Sequence, residues 1–121
     1  MGFVYYAEYL HFFERARSEY IRNRGMSYAG VEEKGILLPV REASCRYRRQ
    51  ARYDDLILIH AGISEWGRES LRFVYEIWDE NKKQLCAEGM TQHALINRKG
   101  RPLPVPEWLR QLFSAGGAGN G

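Results

Sequence analysis

Apolar and polar positions change period along this chain, which divides it into a helical first part, a strand-built middle and a short helical end. Between Gly2 and Gly25, Tyr6, Tyr9, Phe13, Ala16 and Tyr20 recur at helical spacing. Leu10, Phe12 and Arg17 lie at the margins of that stripe, and Glu8, His11, Arg15, Glu19 and Arg22 take the opposite side. An i, i+3, i+4, i+7 pattern of this kind predicts a helix that buries one face. Arg22 and Arg24 near its end oppose the negative pole of the helix dipole, and Gly25 suits the residue after the last turn. No later segment carries an apolar stripe as long or as aromatic, so the core is expected to form around this helix.

Met26 to Lys34 reads as a short helical turn, with Ser27 as its N-cap and Gly35 as its end. The period then becomes two. Ala43, Cys45 and Tyr47 alternate with Ser44, Arg46 and Arg48, which predicts a strand with one buried face and Pro39 near its start. Arg52 to Asp55 is turn chemistry before Leu56-Ile57-Leu58-Ile59, a run typical of a buried strand, and Gly62 marks a bulge or a close backbone approach. After a turn at Glu65 to Glu69, Leu71, Phe73, Tyr75 and Ile77 alternate with Arg72, Val74, Glu76 and Trp78. A polar turn from Asp79 to Lys83 leads into a long strand from Leu85 to Asn97, with Gly89 as a bend. Successive strands joined by short turns argue for an antiparallel meander. Asn97 to Gly100 turns the chain, Pro102, Pro104 and Pro106 end strand structure, and a last short helix pairs Trp108 with Leu112 or Leu109 with Phe113. One aromatic-faced helix and one antiparallel sheet must cover each other, which gives an α+β fold with a curved sheet wrapped around a central helix. The domain is expected over 1–113, with 114–121 as a flexible tail.

Composition narrows the function classes without choosing among them. The chain has 121 residues, 45% hydrophobic and 27% charged, with a formal net charge of +3. That is a single soluble globular domain with no apolar run near the roughly 20 residues a membrane span needs. The early Glu8, His11 and Glu14 and the lack of a basic leader argue against a signal peptide, so a cytoplasmic location and two reduced cysteines, Cys45 and Cys86, are expected. His11, His60 and His93 are scattered, and no metal site is expected. Arg41, Arg46, Arg48, Arg49 and Arg52 crowd together, either as a solvated strand face or as a phosphate-binding cluster. A nucleic-acid interface is not expected, because no exposed aromatic stacking positions are interleaved with them.

The residues carry a further resemblance. Gly2-Phe3-Val4-Tyr5-Tyr6-Ala7-Glu8-Tyr9-Leu10 followed by Phe13-Glu14-Arg15-Ala16-Arg17 resembles the G-x-V-[YWF]-[HY]-x-x-Y…F-E-x-A-R signature of hot-dog-fold acyl-CoA thioesterases. The branch it resembles most is that of the 4-hydroxybenzoyl-CoA and Tol-Pal-associated enzymes. The match continues through Pro39-Val40, through Tyr47 and Ala51 to Leu56, through Trp66 to Leu71, and to Phe113. The resemblance implies hydrolysis of a small aromatic or short- to medium-chain acyl-CoA by a homodimer or homotetramer, with sites between subunits and no cofactor beyond the coenzyme A of the substrate. In this mechanism an acidic residue attacks or activates water, and backbone N–H groups at the start of the central helix hold the oxyanion.

By position, Tyr6 is then the oxyanion donor, with Gly2 and Tyr5 shaping its loop. Trp66, Gly67, Arg68 and Ser70 match the segment beside the pantetheine and phosphates, and Pro39 and Val40 match one wall of the acyl pocket. Two departures stand out. The family pattern D-x-D-x-x-G puts its aspartate three residues before the glycine that matches Gly2, and here only Met1 precedes Gly2. The first strand and that aspartate are therefore expected upstream of an incorrectly assigned or trimmed start, the alternative being a non-catalytic homologue that binds acyl-CoA or an acylated carrier. Tyr6 stands where many members carry His, which removes an imidazole base. Glu14 is the supporting carboxylate expected, either for chemistry or as a structural pair with Arg17, whereas Glu8 lies on the polar side and Asp54-Asp55 is turn chemistry. Dehydration of a hydroxyacyl thioester would want a His–carboxylate pair near the helix start, and Val4-Tyr5-Tyr6 offers none.

Overall fold

A computed structural model describes residues 6–49, 56–81 and 83–115. Helix α1, Tyr6–Arg22, is followed by the short α2, Tyr28–Glu33, then four strands and α3, Glu107–Ala115. The strands are β1 (Val40–Tyr47), β2 (Ile57–Trp66), β3 (Ser70–Asp79) and β4 (Gln84–Ala94). They form one antiparallel sheet in the order β1-β4-β3-β2. The meander expected from the short turns is β2-β3-β4, and β1 crosses to the far side of β4. Cys45 and Cys86 form no disulfide.

The core lies between α1 and the face of the sheet built from odd-numbered residues. Leu71, Phe73, Tyr75 and Ile77 of β3 are buried, as are Ala87, Thr91 and His93 of β4. Against them α1 lays Tyr9, Phe13, Arg17 and Ile21. The expected stripe of Tyr9, Phe13, Ala16 and Tyr20 is thus corrected at its second half, where Ala16 and Tyr20 are only partly buried. A row of residues four apart slants across a helix surface, and such a row follows strands of a twisted sheet better than one straight along the axis. Gly89 permits the close packing: a Cβ there would press on the Phe13 ring and lie 2.6 Å from the Ser44 carbonyl oxygen. The bend expected at this glycine is therefore a close approach of helix to sheet.

The caps follow the sequence. Ser27 Oγ accepts the Gly30 N–H at 3.0 Å, and Gly25, Gly35 and Gly100 take positive φ where segments end. Arg24 stacks on the Tyr20 ring and donates to the Phe113 carbonyl, tying α1 to α3. Helix α3 buries Leu109 and Phe113 and runs on to Ala115, so the first two residues of the expected tail are helical.

Two strands depart from expectation. In β1 only Cys45 is even partly buried, and Ala43 and Tyr47 are exposed rather than lining a buried face. In β2 Leu58 is exposed, as is Leu56 before it, and Ile57 and Ile59 are half-buried. Both are edge strands, with a neighbour on one side only. The irregularity expected at Gly62 falls between Ile63 and Glu65.

Candidate functional site at the ends of the sheet

The register brings the expected substrate contacts to one end of the sheet. Val40 pairs with His93, His93 with Leu71, and Leu71 with Trp66, a row across all four strands. In the next row Ala94 pairs with Ser70 and donates to the Pro39 carbonyl at 3.2 Å. The turn between β2 and β3 holds the rest. Gly67 N–H donates to the Ser70 carbonyl at 2.9 Å, and a side chain at Gly67 would collide with the Ser70 hydroxyl. Arg68 is exposed, with its carbonyl accepting the Val105 N–H at 2.8 Å. The Trp66 ring lies 6.1 Å from Phe113, and the Arg110 guanidinium sits 5.0 Å above it. The two segments, 39–40 and 66–70, thus share one end of the sheet, with Val40 on one edge strand and Trp66 on the other.

The expected oxyanion donor is not beside them. Helix α1 begins at Tyr6, and Gly2 and Tyr5 lie outside the described residues. Tyr9 stands 5.0 Å from Tyr47 at the far end of β1, Phe13 stacks on Tyr75 at 4.4 Å, and Tyr20 meets Phe73 at 5.4 Å. The helix therefore runs antiparallel to β1, and its first turn lies at the opposite end of the strand from Val40. At about 3.3 Å per residue, Val40 and Tyr47 are roughly 23 Å apart. Within one chain, the start of α1 and the six substrate positions do not form one site. Glu14 is exposed, and Arg17 does not serve it: the guanidinium is buried and its Nη1 donates to the Tyr75 hydroxyl at 3.1 Å.

That contact begins a buried polar chain under the Val40 end. Tyr75 Oη lies 2.6 Å from Thr91 Oγ1, Thr91 Oγ1 2.8 Å from His93 Nε2, and His93 Nδ1 2.9 Å from the Leu38 carbonyl oxygen. Burial, aided by the charge of Arg17 and opposed by the bond to Leu38, lowers the His93 pKa to about 4, so the ring is neutral at pH 7. Its proton can then be placed. A carbonyl only accepts, so Nδ1 carries the hydrogen and Nε2 accepts from Thr91. Thr91 must in turn accept from Tyr75, and Tyr75 from Arg17. Every bond in the chain runs in one direction, from a buried cation to the carbonyl just before Pro39. Burial raises the Tyr75 pKa, against the lowering effect of Arg17 and Thr91, so the phenol keeps its proton. The sequence reading passed over these residues, although Thr91 and His93 occupy inward positions of an alternating strand, where a polar side chain signals a partner.

Two open hollows lie elsewhere. A groove of about 890 Å³ between α1 and β2 is lined by residues including Phe12, Ala16, Tyr20, Ile57 and Ile59. A depression of about 800 Å³ crosses the sheet face turned away from α1, over Ser44, Arg46, Val74, Glu88 and Met90. Neither includes any of the six substrate positions. Among the described residues no group of His, Cys, Asp and Glu could hold a metal ion, and no helix is long and apolar enough to cross a membrane.

The sequence pattern of the thioesterase-like superfamily matches residues 1–113. The chain belongs to that superfamily. An acyl-CoA thioesterase of Haemophilus influenzae, YbgC, is 40% identical over 113 residues, covering 93% of this chain and 82% of its own. The DHNA-CoA thioesterase of Staphylococcus aureus superposes with a TM-score of 0.83 at 30% identity, over 99% of this chain and 83% of its own. A hypothetical protein of Aquifex aeolicus gives 0.85 at 26% identity, over 93% and 87%. The superfamily fold is the hot-dog fold expected from the sequence, with the sheet wrapped on α1 as described above.

Proposed function

We propose that this protein is an acyl-CoA thioesterase that works as an oligomer, with each site shared between two copies. The oxyanion of the thioester is held at the N-terminus of α1 around the Tyr6 N–H, whose unpaired amides and positive dipole end suit a developing negative charge. The coenzyme A arm lies along Trp66, Gly67, Arg68 and Ser70 of the second copy, with the Arg68 guanidinium on a phosphate. Pro39 and Val40 of the second copy bound the acyl group, a small aromatic or a short to medium chain. Water then splits the thioester into a carboxylic acid and free coenzyme A. The observation that carries this reading is the meeting of two separately matched segments, 39–40 and 66–70, at one end of the sheet, in a chain of the thioesterase-like superfamily.

The test is thiol release from a panel of acyl-CoAs, run on the 121-residue chain and on a form extended by the in-frame coding sequence upstream of Met1. Turnover that depends on an upstream aspartate supports the reading, and Arg68→Ala should then raise KM with little change in kcat. Saturable acyl-CoA binding without turnover in either form would make this a binding protein.

A further inference from the structure

Pro39 and Val40, read above as one wall of the acyl pocket, lie on backbone that β4 holds weakly. Before them, Leu37 and Ile96 exchange two hydrogen bonds, at 2.9 and 3.1 Å. Two residues on, Pro39 faces Ala94, and proline has no N–H to give. That pair keeps a single bond, from the Ala94 N–H to the Pro39 carbonyl at 3.2 Å. The register then shifts between Val40 and Glu42. A missing bond and an irregularity in succession leave residues 38–40 loosely tied to the sheet.

We infer that His93 is a positioning residue for the acyl wall, its Nδ1–H holding the Leu38 carbonyl where the ladder does not. The inference rests on the reading above that Pro39 and Val40 bound the acyl group, and it names the side chain that fixes them. The Leu38 carbonyl takes that N–H at 2.9 Å, and among the described residues no backbone N–H donates to it. Leu38 and His93 are both buried, which shields the bond from water. An apolar side chain at position 93 would fill the same space and leave the Leu38 carbonyl without a donor.

A positioning group has to be fixed more firmly than the group it positions. The His93 ring meets the Phe73 ring edge-on at 5.6 Å, and its Nε2 is bound by Thr91 Oγ1 at 2.8 Å. Thr91 is held in turn by Tyr75, and Tyr75 by Arg17 and by stacking on Phe13. The ring cannot turn away from Leu38 without breaking the bond to Thr91 on its other side. Through this chain the acyl wall is referenced to β3 and α1 in the core, and not to the edge strand that it begins. A small displacement of such a wall changes how an acyl group fits and leaves the coenzyme A arm, bound along 66–70, where it was.

Two amide substitutions separate the ring nitrogens. His93→Asn places an amide N–H where Nδ1 stands, whereas His93→Gln places its amide near Nε2 and leaves Leu38 without a donor. Michaelis constants for benzoyl-CoA, hexanoyl-CoA and acetyl-CoA are measured on the form of the chain that turns over, or dissociation constants if neither form does, with free coenzyme A as the reference. His93→Gln should raise the benzoyl-CoA and hexanoyl-CoA constants roughly threefold to tenfold and leave those for acetyl-CoA and free coenzyme A within about twofold. It should also speed hydrogen exchange at the Ala94 amide, which donates to Pro39. His93→Asn should return the constants and the exchange rate to near the parent values, while losing stability with the Thr91 bond. A histidine with a structural role alone would lower the folded fraction in both variants and leave the ratios among acyl groups unchanged, which overturns the inference. Equal shifts in His93→Asn and His93→Gln would overturn it as well. Failure of the thioesterase reading shows in the parent, which would then neither hydrolyse nor bind any acyl-CoA, and it removes this role too. Failure of the positioning role shows in the variants alone.

Discussion

Strands β3 and β1 carry the same alternation in sequence and opposite fates in the fold. In β3 the residues Leu71, Phe73, Tyr75 and Ile77 are 0 to 1% exposed. In β1 the corresponding set is less covered, with Ala43 and Tyr47 exposed and Cys45 half-buried. The difference is place, since β3 sits between β2 and β4 under the helix and β1 has a neighbour on one side only. Alternation shows that a strand has two unlike faces, and the neighbouring elements decide whether either face is covered. A strand patterned for burial that is left exposed is a sign of a partner.

The contrast is sharpest in stability. Phe73→Ala should cost about 3–5 kcal/mol of unfolding free energy, because Phe73 touches Tyr20, Tyr75, His93 and Phe113 and nothing can refill that space. Urea titration measures it, and a loss under 1 kcal/mol would mean that β3 is not the centre of the core. Acid is the next largest effect. The His93 pKa falls from 6.5 unfolded to about 4 folded, so its contribution is whole above pH 6.5 and is lost as pH falls through 4. The swing is up to roughly 3 kcal/mol, and His93→Gln should flatten that part of the stability curve. Unchanged pH dependence in this variant would place the acid sensitivity elsewhere.

Thr91→Val keeps the shape and removes the hydroxyl that joins Tyr75 to His93. The expected loss is about 1–3 kcal/mol, and a cycle with Tyr75→Phe should show strong non-additivity, because both changes break the same chain. Additive losses would show that the bonds act separately. The smallest effect belongs to β1: Arg46→Gln should change the stability of the isolated chain by less than about 0.5 kcal/mol. A larger loss at low protein concentration would show that β1 is held within the chain more firmly than its exposure indicates.

The aromatic face of α1, the β2-β3-β4 meander, the Ser27 cap and the glycine stops were legible because each depends on residues close in sequence. Periodicity, capping and turn chemistry are local, and the local preferences here agree with the fold. The motif residues at Pro39, Val40 and Trp66 to Ser70 were legible in the same way, as types at fixed spacings. Three things were not. The exposure of β1 depends on the sheet order, the separation of Tyr6 from Val40 on the direction of α1 over the strands, and the Arg17–Tyr75–Thr91–His93 chain on four positions from three elements meeting in the core. Each arises from contacts between residues distant in sequence, which no local pattern encodes. A buried arginine within a helical stripe and an inward histidine on a strand become a directed hydrogen-bond chain only when packing excludes water and sets the groups within reach of one another.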